Sequence, residues 1–284
     1  MPLPLAHPVA ALPLRRFCPR YLDFSALVIG SIVPDAAYAI DDLNKFSRTL
    51  VYVFGPTVEK LSWVRKAWDW DDFSHAVLGS VGFCLPLGLF FLWVFFSLRG
   101  ALVTTLPNPH RDALLPLCDG PRCSMRTGVR SLLVGIWIHI AWDSLTNGDR
   151  WLGQHWAFLH WQIDAGVTKI ELCRVFWLFS SLGGMLVLMG AYLKFLKRGR
   201  STGWLYQPGE LTYYLLWLTV FALSAFVAIP LSLQFASFRG TVHERLTFLH
   251  RFAGYYIAAL AIGMTLLALG SVLHRHRLRA GRAR

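Results

Sequence analysis

Five ionisable side chains lie within or at the edge of long apolar segments of this sequence. They are His7, Asp35, His75, His139 and Asp143. An Asp at the centre of a membrane helix costs about 2.5–3.5 kcal/mol even on a permissive insertion scale, so each such residue needs a partner and is a candidate functional residue. Imidazoles and carboxylates together are ligands of zinc, manganese and non-haem iron. The five residues therefore predict a divalent metal site, and their types leave zinc, manganese and iron open.

The most informative spacing is that of His139 and Asp143, which are four residues apart in the apolar segment 129–147. On an α-helix, residues i and i+4 project from one face, about 6 Å apart along the axis, so both side chains can approach one ion. Asn147 continues the same face. One such pair is a weak signal, but several segment ends that each supply one polar residue are a stronger one.

Two other interpretations of these residues stay open. Asp35 after Pro34 is a common arrangement at a helix end, His75 sits near the start of its segment, and His139 with Asp143 could form a hydrogen-bonded pair that joins helices. A transporter or channel would instead use His139 and Asp143 as an ion relay. A relay needs polar groups on several spans, yet the last three apolar segments contain only Lys194, near one end. Transport is therefore disfavoured.

The composition indicates which elements hold these residues. Only 15% of the 284 residues are charged and 55% are apolar or aromatic, against about 25% charged residues in a soluble domain. A typical soluble enzyme is excluded. The net charge of +12 comes from basic clusters between apolar runs, which is how membrane proteins mark their cytoplasmic loops, so we expect a lipid bilayer as the partner and no nucleic acid.

The apolar segments predict an all-α, polytopic membrane helical bundle. A helix that crosses the hydrocarbon core needs about 20 mostly apolar residues. Two segments, 24–40 and 129–147, carry polar residues but are still predicted to cross, and the short stretch 3–14 predicts a re-entrant or interfacial arm. About six transmembrane helices result, because four further segments meet the length requirement: 74–97, 175–196, 211–233 and 252–273.

Loop charges predict the orientation, with the C-terminus in the cytoplasm. Asp35, His75 and Asp143 then meet near the outer leaflet, and His7 joins them if the arm points its N-terminus outward. Segment 41–72 is predicted to lie at the outer interface as an amphipathic element. The loop 234–251 fits less well because it places three Arg outside. The oligomeric state is left open.

The chain contains no internal repeat, low-complexity tract or Ser/Gly linker. We therefore expect a single integral membrane domain over residues 1–284, with the metal-site core in 1–196, two further helices in 197–273 and a basic tail in 274–284. Residues 1–20 lack the pattern of a signal peptide and are treated as part of the fold. The five Cys include no C-x-x-C pair and are interpreted as isolated, reduced packing residues.

Four stretches carry a resemblance to a known family: LAHPVAALPLRR, SALVIGSIVPD, FSHAVLGSVGFCLPLGL and HIAWDSLTNGDRW. They resemble the bacterial domain of unknown function 4184 family of multi-pass membrane proteins, over about residues 1–196, which implies a bacterial inner (plasma) membrane. That family is in turn similar to membrane-bound metal-dependent hydrolases and, more distantly, to zinc-dependent phospholipases C. The resemblance implies zinc as the favoured ion and five ligands, which are His7, Asp35, His75, His139 and Asp143.

In the stretch that begins at Asp143, the family usually reads Asp-Ser-Phe-Thr-His. This chain has Asn147 at the position of the last His. The missing imidazole implies either fewer metal ions or weaker catalysis. We expect three residues to contact the ligands and hold them in place: Ser74, Asn147 and His155. His155 is also a loop residue, and loop histidines are often simply solvated.

The expected function is hydrolysis of a lipid or lipid-linked phosphoester near the outer leaflet. One or two divalent ions would activate water, and Asp35 or Asp143 would serve as general base. The sequence does not assign these two roles. The alternative is a non-catalytic membrane protein whose His/Asp cluster binds a metal or pairs helices.

Overall fold

The computed structural model of this chain describes residues 6–37, 70–164, 166, 169–198, 210–234 and 242–282. Helices dominate these residues. In chain order they are α1 (Ala11–Phe17), α2 (Phe24–Gly30), α3 (Trp70–Ser74), α4 (Val77–Gly79), α5 (Leu85–Val103), α6 (His110–Cys118), α7 (Met125–Thr146), α8 (Trp151–His155), α9 (Leu172–Arg198), α10 (Glu210–Leu233) and α11 (Val242–Arg282).

Short turns and one hairpin complete the described elements. A π-helical turn, Ser80–Cys84, joins α4 to α5, and 3-10 turns occupy His7–Ala10, Val33–Asp35 and Ala157–His160. Two three-residue strands, β1 (Gln162–Asp164) and β2 (Lys169–Glu171), pair antiparallel, with Ile163 opposite Ile170. This short hairpin is the sheet in the described part of the chain, which is otherwise helical.

Four described helical segments are long and apolar enough to cross a membrane: Val77–Val103, Leu172–Arg198, Glu210–Leu233 and Thr247–Arg275. They coincide with the four segments predicted from length and apolarity alone. Their surfaces carry many exposed large apolar side chains, as expected where lipid rather than protein covers the helix. The prediction of an all-α membrane bundle is confirmed.

The two predicted spans with polar residues behave differently. In the first, α2 ends at Gly30 and the 3-10 turn that contains Pro34 follows, because Pro34 cannot donate a backbone N–H and disfavours helical backbone in the residue before it. The apolar helical stretch Phe24–Asp35 is shorter than a span requires, and residues 38–40 lie outside the described residues. The second forms α7, whose 22 residues are long enough, but it does not reach the apolarity of the other four. Six crossings therefore remain a prediction.

The chain divides into two compact units. The first comprises residues 1–92 and 123–186, and the second comprises 93–122 and 187–284. The predicted arm forms a 3-10 turn and α1, and α11 extends through most of the predicted basic tail. Of the predicted interfacial segment 41–72, all but the last three residues lie outside the described residues.

The core of the first unit is a close parallel crossing of α2 and α7. At the N-terminal ends, the Asp23 backbone N–H donates to the Ser131 hydroxyl at 2.8 Å, and Asp23 also caps α2. One turn on, a Cβ added at Gly135 would lie 2.5 Å from the Leu27 carbonyl oxygen, and a Cβ at Gly30 would strike the Leu132 backbone. Two glycines thus allow backbone-to-backbone approach, as small residues do between membrane helices.

The second unit contains a buried polar network at the start of α10. The Glu210 carboxylate accepts from the Asn108 backbone N–H at 3.0 Å and from the Arg111 guanidinium at 2.5 Å. The Tyr214 hydroxyl donates to the Asn108 carbonyl, and the Trp217 indole N–H donates to the Thr105 carbonyl, each at 2.9 Å. These bonds fix the segment between α5 and α6 on α10.

Candidate metal centre

The α7 helix supplies two fully buried side chains, His139 and Asp143, on one face. The His139 Nδ1 atom lies 2.8 Å from the backbone carbonyl oxygen of Ser31. A carbonyl oxygen can only accept a hydrogen bond, so Nδ1 carries the hydrogen and Nε2 keeps its lone pair. The close crossing at Gly30 and Gly135, one turn earlier, brings the Ser31 carbonyl within reach of the ring.

His75 is oriented in the same way by its neighbour. The Ser74 hydroxyl donates to the Pro34 carbonyl oxygen at 3.2 Å, and its oxygen lies 3.0 Å from the His75 Nδ1 atom. Because the hydroxyl hydrogen is used on the carbonyl, we assign the shared hydrogen of the second contact to Nδ1. His75 therefore also presents an Nε2 lone pair, and its side chain is only 3% exposed.

Two carboxylates complete the convergence of lone pairs. The Nε2 atoms of His75 and His139 are 3.3 Å apart. The Asp143 Oδ2 atom lies 3.5 Å from the His75 Nε2, and the Asp35 Oδ1 atom lies 3.6 Å from the His139 Nε2. Imidazole nitrogens and carboxylate oxygens this close are stabilised by a shared proton or by a cation between them.

Three contacts in the cluster have the length expected between two ligands of one tetrahedral ion. Zinc binds His nitrogen and carboxylate oxygen at about 2.0–2.2 Å, so two ligands of a tetrahedral site are about 3.3–3.6 Å apart. The His75–His139, His75–Asp143 and His139–Asp35 contacts fall in that range. In addition, both Asp143 oxygens are buried and have no hydrogen-bond partner among the described residues.

His7 comes from the N-terminal 3-10 turn and packs against the cluster. Its ring centroid lies 4.0 Å from that of His139, and its Nε2 is buried with no hydrogen-bond partner among the described residues. Burial, and next the neighbouring His139, hold the pKa of His7 well below its ordinary value of 6.5, so the imidazole is neutral at pH 7 and can bind a metal.

The cluster contains two overlapping triads of suitable ligand atoms, each within 4.8 Å of one another: His7, His139 and Asp143, and Asp35, His75 and His139. His139 belongs to both. Its Nδ1 is held by Ser31, so only Nε2 is left for an ion, and a single ion bound to His139 is favoured over two.

Arg150 is a member of the site that the sequence patterns did not indicate. Its Nε atom lies 3.9 Å from the Asp143 Oδ2, and its Nη1 atom lies 2.9 Å from the Asp72 Oδ1. Its Nη2 atom is 3.5 Å from the His75 Nδ1. That contact places positive charge beside the cluster.

Comparison with protein families gives a match over most of the chain. Residues 1–272 match the family described as Domain of unknown function (DUF4184). The chain belongs to this family. The match confirms the resemblance seen in the four N-terminal stretches and extends it over the two later membrane helices. No curated protein and no solved structure matches this member of the DUF4184 family.

Two of the predicted supporting residues of this family member lie in the turn and helix after α7. The Asn147 side-chain oxygen accepts from the Asp149 backbone N–H at 3.2 Å, so it orders the turn that leads to Arg150. His155 is exposed, and its Nδ1 bonds the Trp151 carbonyl of its own helix at 2.7 Å. Neither residue belongs to the two ligand triads, whereas Ser74 contacts His75 as expected.

Proposed function

We propose that this member of the DUF4184 family is a membrane-embedded, metal-dependent hydrolase that acts on a lipid or lipid-linked phosphoester. The observation that carries the proposal is the convergence of the His75 and His139 Nε2 atoms with the Asp35 and Asp143 carboxylates, at separations of 3.3–3.6 Å. Zinc is the favoured ion because imidazole and carboxylate suit it and the spacing matches its tetrahedral bond lengths.

The chain's own residues have separable roles in this proposal. His75 and His139, each fixed through Nδ1, would hold the ion together with a carboxylate and with His7 nearby. A bound divalent ion supplies a Lewis acid and lowers the pKa of a bound water toward about 7. Of Asp35 and Asp143, the carboxylate that does not ligate the ion is placed to accept the proton of the attacking water. The apolar surroundings exclude bulk water from this exchange.

The distribution of charge along α2 and α7 supports a site toward the outer leaflet. The Arg15 guanidinium lies over the Phe24 ring at the start of α2, 5.0 Å from its centroid, and Arg126 and Arg130 lie in the first turns of α7. The metal cluster is at the other end of both helices. Basic residues mark the cytoplasmic side of membrane proteins, so we infer an inner-membrane protein whose site faces outward, with its C-terminus in the cytoplasm.

The first experiment measures bound metal. The protein is purified in detergent without chelators and analysed for zinc, manganese and iron by elemental analysis, beside His139→Ala and Asp143→Ala. We expect about one ion per chain in the wild type and loss of most of it in both variants. His155→Ala changes an exposed imidazole outside the cluster and should keep the ion. Wild-type protein without stoichiometric metal would refute the metal site.

A second experiment addresses turnover. Purified protein is incubated with a panel of lipid phosphoesters, with and without a chelator, and released phosphate or headgroup is measured. Chelator-sensitive release that His139→Ala abolishes is the expected result. Stoichiometric metal without release of any product would instead favour the non-catalytic alternative, in which the cluster binds a metal or joins α2, α3 and α7.

A further inference from the structure

Arg150 lies between the buried cluster and the exposed surface of the first unit. Its side chain is 10% exposed, whereas Asp143 on one side is 0% exposed and Asp72 on the other is 75% exposed. The guanidinium therefore reaches from a carboxylate of the candidate metal centre to a solvated carboxylate. Arg150 thus lies on the Asp72 side of the cluster.

The backbone that carries Arg150 is held at several points. Its N–H donates to the Asn147 carbonyl at 3.2 Å, and its carbonyl accepts from the Gln154 N–H at 2.9 Å. A Cβ added at Gly153 would strike the backbone of Gly148, so the turn and α8 are packed closely together. The guanidinium is thus presented from a fixed turn.

We infer that Arg150 binds the phosphoryl group of the substrate and so determines that the site accepts phosphoesters. The inference deepens the proposed function and depends on it. Two site carboxylates would balance a divalent ion, and Arg150 adds a positive charge between Asp143 and the largely solvated Asp72. A ligand entering that site would be favoured if it carried negative charge.

The chemistry of the guanidinium specifies the kind of anion. Arg presents planar, paired N–H donors that match two oxygens of a phosphoryl group, and such charge-assisted, bidentate contacts are stronger than neutral hydrogen bonds. The Nη1 contact to exposed Asp72 is of the weak, solvent-screened type. A phosphoryl group on Arg150 would compete with Asp72 for the N–H donors of the guanidinium.

This exchange predicts opposite effects for two substitutions. Arg150→Gln removes the guanidinium and should raise the Kd for inorganic phosphate about 10- to 100-fold, because hydrogen bonds to charged groups are lost. Asp72→Asn removes the competing carboxylate and should lower that Kd about two- to fivefold. Arg150→Lys keeps the charge without the fork and should bind phosphate with intermediate affinity. A merely structural role for this ion pair would weaken binding in both the Arg150→Gln and the Asp72→Asn variants.

The experiment is calorimetric titration of detergent-purified, metal-loaded protein with inorganic phosphate, and in a second arm with dihexanoyl phosphatidic acid. Similar affinities would identify the phosphoryl group itself as the ligand, and tighter binding of the lipid would identify a lipid phosphate. Arg174→Gln is the matched control, since Arg174 is half exposed and approaches Glu171 at 4.0 Å. It should leave both affinities unchanged.

Metal content and thermal unfolding are measured on the same samples. Unchanged phosphate binding by Arg150→Gln, absence of phosphate binding by the wild type, or weaker binding by Asp72→Asn would each overturn the inference. Loss of metal from Arg150→Gln would also overturn it, because Arg150 would then support the ligands instead. Wild-type protein without metal would refute the proposed function. Phosphate binding by that metal-free protein, compared with binding by Arg150→Gln, would still test the inference on its own.

Discussion

The His139 Nδ1 atom is held 2.8 Å from the Ser31 carbonyl oxygen, and this bond links the helix crossing to the candidate metal centre. Ser31 directly follows Gly30, and His139 lies one turn beyond Gly135, the two glycines at which α2 and α7 approach most closely. The same contact that aligns the helices also directs the Nε2 lone pair toward His75. Helix packing and ligand orientation are therefore one structural feature in this protein.

Gly135→Ala should disturb the site without touching a ligand. The added methyl would lie 2.5 Å from the Leu27 carbonyl oxygen and 3.0 Å from the Ser31 nitrogen, so α2 must move away and withdraw the Ser31 carbonyl. We expect the free energy of unfolding to fall by about 1–3 kcal/mol, together with loss of bound metal. Thermal unfolding in detergent and elemental analysis measure the two effects.

Gly183→Ala is the control for this substitution, because a Cβ there meets nothing within 4 Å among the described residues. It should leave metal content unchanged and stabilise its helix by about 0.5–1 kcal/mol. Equal behaviour of the two variants would show that the close crossing does not position the ligands.

Ser74→Ala should weaken the metal site and leave the ligands in place. The variant loses the acceptor at 3.0 Å from the His75 Nδ1 and the bond to the Pro34 carbonyl. Groups that orient a metal-bound imidazole are worth about 10- to 100-fold in metal affinity. Competition with a calibrated chelator should show an increase of this size in the metal Kd.

The control for Ser74→Ala is Ser144→Ala. Ser144 follows Asp143 in the sequence, and its hydroxyl donates to the Ile140 carbonyl of its own helix at 2.8 Å. Ser144→Ala should keep the wild-type metal affinity. If both serine variants lose affinity equally, the Ser74 contact has no special part in orienting His75.

The sequence predicts the membrane helices well because apolarity over about 20 residues is a property of composition and length alone. The segment predicted as 175–196 is found as Leu172–Arg198, and that predicted as 211–233 as Glu210–Leu233. The segment 24–40 is different because Pro34 interrupts it. Its apolar residues fit a buried helix as well as a membrane span, and periodicity does not separate these two cases.

The candidate site is predictable in its residue types and less so in its supporting contacts. His139 and Asp143 stand out because ionisable residues in an apolar run are costly, and the spacing of four places them on one face. The contribution of Ser31 is a backbone carbonyl, which any residue type could supply. Arg150 approaches Asp143 because the turn after α7 brings it back toward that helix. No sequence pattern indicates the path of this turn.

Glu210→Gln should destabilise the second unit without affecting the metal. The carboxylate accepts from the Asn108 N–H and from the Arg111 guanidinium, and it is only 7% exposed while Arg111 is 20% exposed. The amide removes the charge that pairs with Arg111, so we expect the free energy of unfolding to fall by about 1.5–3 kcal/mol. Chemical unfolding in mixed micelles measures this loss.

Thr219→Ala, on the same helix, is the control for Glu210→Gln. The Thr219 side chain is exposed, and its hydroxyl donates to the Leu215 carbonyl of its own helix. Its removal should change the free energy of unfolding little. Metal content should stay at the wild-type level in both variants. Loss of metal from Glu210→Gln would show that the two units are coupled energetically.

His110 should make the protein less stable in mild acid. Burial lowers the pKa of His110 below its ordinary value of 6.5, and its Nδ1 lies 2.7 Å from the Tyr192 hydroxyl, a contact in which only the neutral ring can accept. Below pH 6.5 the unfolded chain takes up a proton at this site that the folded chain resists, so stability falls as the pH drops toward the folded pKa. In His110→Gln this part of the decrease is absent, and the melting temperature should fall less between pH 7 and pH 5. His155→Gln changes an exposed imidazole and is the control, which should follow the wild type. Equal decreases in melting temperature for His110→Gln and the wild type would contradict the prediction.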